Sequence, residues 1–129
     1  MDIGTLFVCI VLAGSRGVYD GDTFTCEDKT KVRLWGVAAP EIARPAQMGG
    51  KEARDFMRDL IAGKPLLCVV KGHNGGRVVA KCHLPGPDIG AALIAAGKAR
   101  DCPSFSGGHY ANAEVAASRE LPFPGYCQP

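Results

Sequence analysis

From Ile3 to Ala13 the chain is almost continuously apolar, and beyond it short runs of branched and aromatic residues alternate with turn formers. The first stretch is too short to cross a bilayer as a helix. It reads as a strand. The other reading is a signal-peptide core ending at Ala13-Gly14-Ser15, against which Asp2 stands where a basic residue would be expected. Val18 to Cys26 and Lys31 to Val37 are rich in β-formers and flank the polar turn Glu27-Asp28-Lys29-Thr30, which predicts a hairpin. Lys51 to Ala62 then changes period: Ala53, Phe56, Met57, Leu60 and Ile61 share one helical face, Arg54, Asp55, Arg58 and Asp59 the other, and Gly63 ends the helix. Leu66 to Lys71 and Arg77 to Leu84 are apolar arms around Gly72-His73-Asn74-Gly75-Gly76, a second hairpin. Asp88 caps a short helix whose buried stripe is Ile89, Ala92, Leu93 and Ala96, and a third helix is predicted from about His109 to Arg119.

Three strands, a helix, two strands and two helices is the element order of an OB-fold, so the expected architecture is α+β: a five-stranded, partly open barrel with three helices, formed by one domain over residues 1–129. A chain of 129 residues supports one core and one site. Its net charge of +2 excludes a protein that holds nucleic acid by bulk basicity, so any anion must be gripped locally. Six cysteines without a C-x-x-C pair favour disulfides and an oxidising setting, secreted or periplasmic. Six buried thiols are the plainer alternative, and Cys68, Cys82 and His83 leave a zinc reading open.

Three segments carry candidate chemistry: Asp20-Gly21-Asp22-Thr23, Val32-Arg33-Leu34-Trp35-Gly36-Val37-Ala38-Ala39-Pro40-Glu41, and Gly75-Gly76-Arg77-Val78-Val79-Ala80. Together and in this order they resemble the thermonuclease, or staphylococcal-nuclease-like, family, whose patterns are D-G-D-T, V-R-L-x-G-I-D-A-P-E and Y-G-R-x-x-A. The resemblance extends to Gly97-Lys98-Ala99 and Ser106-Gly107-Gly108-His109-Tyr110. It implies a calcium-dependent nuclease acting on single-stranded DNA or RNA. Arg33 and Arg77 would hold the phosphate oxygens by charge-assisted hydrogen bonds, and Glu41 would orient and deprotonate the attacking water. Asp22 matches a metal-ligating carboxylate, Ala39 a ligating backbone carbonyl, and Asp20 an outer-shell carboxylate.

The chain departs from this pattern where the second ligating aspartate would stand: it has Ala38. Weaker calcium binding and reduced cleavage are therefore expected, and the alternative is an impaired barrel that binds nucleic acid without turnover or serves as an interaction domain. Gly75 stands where the pattern has tyrosine, and Tyr126 replaces a final tryptophan, with a core-filling role expected of it. Phe105 and Tyr110 are candidates for stacking a base, although packing is the commoner duty of such residues. Among fifteen possible connectivities the architecture suits Cys68 with Cys82 across the second hairpin, Cys102 with Cys127 at the tail, and Cys9 with Cys26 in the first sheet. With no helical dimer seam and no large exposed apolar patch, a monomer is expected, and no membrane partner.

Overall fold

A computed structural model describes all 129 residues. Strands β1 (Leu6–Ile10), β2 (Val18–Asp20), β3 (Thr23–Thr25), β4 (Lys31–Leu34) and β5 (Val37–Ala38) precede helix α1 (Gly50–Ile61). The hairpin of β6 (Pro65–Asn74) and β7 (Arg77–His83) follows, then α2 (Ile89–Ala95), β8 (Arg100–Asp101), α3 (Pro103–Ser106) and α4 (Ala116–Arg119). One sheet has the order β1-β6-β7-β4-β3-β2, and β5 pairs with β8 in a second, two-stranded one. All pairs are antiparallel except β4 with β7, which run parallel with Arg33 opposite Val79.

The expected five-stranded barrel is corrected in two ways. The six-stranded sheet is not closed into a barrel: past the end of β1, Val11 meets Cys26 in a single isolated bridge. The expected long strands are also divided. The turn at Asp20-Gly21-Asp22 separates β2 from β3, and Gly36, at φ 73°, turns the chain out of β4 so that Val37–Ala38 can pair with β8. A side chain at Gly36 would also press on Ser106 Cβ, 2.8 Å away.

Alternation explains the core. Cys9, Val11, Val18, Phe24, Val32, Leu34, Leu66, Cys68, Val70, Ala80 and Cys82 point inward and are buried, and α1 seals one side with Ala53, Met57 and Ile61. Phe56 and Leu60, which share the predicted helical stripe, are only partly buried. Asp88 caps α2 as its sequence suggests, accepting from the Gly90 and Ala91 amides at 2.8 and 3.4 Å.

The expected helix from His109 to Arg119 is instead a 3₁₀ turn at Ala111–Ala113 and the four residues of α4. Glu114 and Val115 between them are extended because Glu114 turns inward, accepting from the Asp101 amide at 3.1 Å and lying 3.6 Å from the Arg100 guanidinium. Three disulfides, Cys9–Cys26, Cys68–Cys82 and Cys102–Cys127, use all six cysteines. This excludes Cys68 and Cys82 as zinc ligands and suits an oxidising compartment. The last bridge spans 25 residues, so closing it restricts the unfolded chain by about 3–4 kcal/mol. No helix is long and apolar enough to cross a membrane.

Candidate active site

The turn between β2 and β3 brings two carboxylates together below the surface. Asp20 accepts the Asp22 amide at 3.1 Å, which folds the turn on itself, and both residues are only 6% exposed. Gly21 allows this placement: a Cβ there would lie 2.7 Å from Ala39 Cβ and 2.8 Å from Ala53 Cβ, so only glycine lets α1 and the loop after β5 close over the turn. Burial, followed by the neighbouring Asp22 carboxylate, pushes Asp20 up to about 8.

Asp22 is the hub. Its Oδ2 accepts the Ala39 amide at 2.9 Å and lies 3.4 Å from Arg33 Nη2, while Oδ1 accepts from the Thr23 hydroxyl at 3.2 Å. Arg33, on β4, is held from several sides. Its Nη1 donates to the carbonyls of Leu34 and Val37 at 2.6 and 2.8 Å, and its Nη2 faces Asp22 and the Tyr126 hydroxyl, the latter at 3.5 Å. Burial opposes its charge, but Asp22, then Tyr126, more than offset that and hold Arg33 above the ordinary arginine value.

Arg77 is different. It opens β7 directly after the hairpin tip, where Gly75 takes φ 62°, and its guanidinium makes no hydrogen bond or ion pair within the protein. Glu41 follows Pro40 on an exposed loop whose backbone is clasped by Gln47: the Glu41 amide donates to Gln47 Oε1 at 2.8 Å and the Gln47 amide to the Glu41 carbonyl at 2.9 Å. That clasp fixes the backbone and leaves the carboxylate free.

These residues meet. One cleft of about 610 Å³ is lined by Asp20, Asp22, Arg33, Glu41 and Arg77, together with Tyr19, His73, Asn74, Phe105 and Tyr126. Five residues singled out in the sequence, drawn from three separate segments, thus converge on one concave surface. A model of the staphylococcal nuclease homologue family matches residues 31–119, well over half of the chain. The chain belongs to that family. No curated protein matches it. The matched span includes Arg33, Glu41 and Arg77 of this nuclease homologue, while the Asp20–Asp22 turn lies just before it.

The remaining expectations fare differently. Ala39 contributes its amide to Asp22 and stands outside the cleft lining, as does Ala38. Ala38, 1% exposed, packs against Cys102, Cys127 and Phe123, so the position of the missing aspartate is sealed by the tail and its disulfide. Tyr110 does not stack a base: it is buried, its hydroxyl donates to Asp88 at 2.7 Å, and burial raises its pKa. Phe105, 60% exposed, does line the cleft. Tyr126 is not the core filler expected of it but is half exposed on the cleft wall. Its neighbour Cys127 was the available signal, because pairing it with Cys102 draws the tail to β8 and the site.

As a seat for a metal, the turn offers oxygen donors only, which suits a hard cation and not zinc. The fit is loose: although three acids line the cleft, no three acidic, histidine or cysteine side chains are placed to hold one metal ion together, and one face of Asp22 is already occupied by Arg33.

Proposed function

We propose that this nuclease homologue hydrolyses phosphodiester bonds of single-stranded DNA or RNA, as a secreted or periplasmic monomer with weakened calcium dependence. The observation that carries the reading is the convergence of Arg33, Arg77 and Glu41 on one cleft beside the buried Asp20–Asp22 pair. Arg77 meets the phosphate first, because its donors have no internal partner. Arg33 sits deeper, and the scissile phosphate reaches the edge of a guanidinium already fixed in direction by Leu34, Val37 and Asp22. Together the two cations stabilise the charge that grows on the phosphate oxygens as the new bond forms.

Glu41 accepts a proton from water. The water oxygen bonds to phosphorus, the opposite P–O ester bond breaks, and the departing oxygen takes a proton from solvent. Asp22 and the Ala39 carbonyl, with Asp20 in the outer shell, would hold calcium, which supplies Lewis-acid stabilisation of the phosphate when bound. So small a set is poor for a cation that takes about six to eight oxygen ligands, so water must complete it.

A second reading, nucleic-acid binding without turnover, is favoured by one observation: the donor set has too few converging acids to form a metal cage. Cleavage of single-stranded DNA in calcium, magnesium, manganese and EDTA separates the two. The hydrolase reading expects EDTA-sensitive cleavage that falls by about 10²-fold or more in Arg77→Ala, at unchanged melting temperature. DNA binding that Arg77→Ala weakens, with no cleavage in any metal, establishes the second reading.

A further inference from the structure

We infer that the Tyr126 hydroxyl is a direct contact for the substrate phosphate, carried to the cleft by the Cys102–Cys127 bond and polarised by Arg33. The inference rests on the phosphodiester reading above and names a residue that reading does not use. It follows from counting donors. Arg33 has two N–H groups on each terminal nitrogen. Both on Nη1 are taken by the carbonyls of Leu34 and Val37, and the two on Nη2 face Asp22 and Tyr126, so little beyond Nε remains for a ligand.

At 3.5 Å the contact to Tyr126 is the longest of these, and Tyr126 is the only one of the partners that is exposed, the others being buried. In it the phenol oxygen accepts. Its own O–H is then free, and no acceptor within the protein takes it. A hydroxyl that accepts from a cation is a stronger donor toward an anion. Arg33 therefore acts on the phosphate through Tyr126 as well as through its own edge.

The tail is built to hold that hydroxyl in place. Cys127 is bonded to Cys102, the Ser104 hydroxyl donates to the Tyr126 carbonyl, and the Phe105 ring lies 6.4 Å from the Tyr126 ring in a tilted contact. A residue that served only as surface would not need three restraints.

The test is a double-mutant cycle on binding of a fluorescein-labelled ten-nucleotide single-stranded DNA in EDTA, with cleavage measured in parallel. Tyr126→Phe keeps the ring and removes only the hydroxyl, so binding should weaken by about tenfold with the melting temperature unchanged. Cys102→Ser with Cys127→Ser should weaken binding similarly, and adding Tyr126→Phe to that pair should change nothing further, because the freed tail no longer presents the hydroxyl. Unchanged binding by Tyr126→Phe, with binding lost in Arg77→Ala, overturns this inference and leaves the phosphodiester reading standing. If Arg77→Ala also binds normally, the underlying reading falls with it.

Discussion

Arg33 and Arg77 face the same cleft and are the same residue type, yet the fold treats them in opposite ways. Arg33 is fixed on its strand by two carbonyls, a carboxylate and a phenol, whereas Arg77 stands at a hairpin mouth with no partner. The floor of the site is thus structure first and ligand second. Disturbing it should cost stability, while disturbing the mouth should cost only chemistry. The contrast also shows why a residue match alone is a weak guide to role: both arginines fit the family pattern, but only one has all its donors available to an incoming anion.

The sharpest way to break the contrast is Asp22→Ala. It leaves Arg33 without its carboxylate in a largely buried position, and the expected loss is about 3–5 kcal/mol of folding stability, read by urea denaturation. A loss below about 1 kcal/mol would mean that Arg33 is not held as a buried pair.

Next in size is Ala38→Asp. From the pattern alone, restoring a carboxylate would be expected to raise activity. In the structure the side chain of residue 38 faces Cys102, Cys127 and Phe123 and is sealed from the cleft, so a buried charge should destabilise the protein by at least about 2 kcal/mol. Calcium-stimulated cleavage with a rise in melting temperature would show that the new carboxylate reaches the site instead.

A pH profile sharpens the picture of the turn. Asp20 titrates near 8 when folded and near 3.8 when unfolded, so the folded state binds the extra proton between these values. Stability should therefore be fullest below about pH 4 as far as this group is concerned, and decline as pH rises toward 8. Asp20→Asn removes the decline, and a flatter stability profile from pH 5 to 8 checks it. Saturating calcium should flatten the same profile in the unaltered protein if the Asp20–Asp22 pair receives the cation. An unchanged profile in Asp20→Asn would assign the decline to other groups.

Much of the fold could be read from periodicity. The second hairpin, the inner face of α1 and the Asp88 cap are where the pattern of apolar and turn-forming residues puts them, and the three disulfides take the pairing that suited the architecture among fifteen that the sequence alone left open. What could not be read is what long-range partners decide. Glu114 lies in a stretch with helical composition, and it is the distant Asp101 amide and Arg100 that pull its backbone straight. Val37–Ala38 read as the end of one strand until β8, more than sixty residues later, supplies the partner that takes them out of the main sheet.

The same distinction holds in the cleft. Asp20, Asp22, Arg33, Glu41 and Arg77 sit in compact motifs and were visible in the sequence. Tyr19, His73 and Asn74 carry no motif of their own and become cleft residues only through the fold. Tyr126 is the extreme case, placed beside Arg33 across 93 residues by a disulfide.

The most direct test of the central claim is the rate of single-stranded DNA cleavage by the unaltered protein and by Glu41→Gln under saturating calcium. Glu41 touches no other functional side chain of the cleft through a hydrogen bond or ion pair, so the change should leave the fold, the melting temperature and DNA binding as they are. If the cleft is a hydrolase site with Glu41 as its base, cleavage falls by about 10²–10⁴-fold. Equal cleavage by both proteins would contradict the assignment of Glu41 and, with it, the account of how this cleft works.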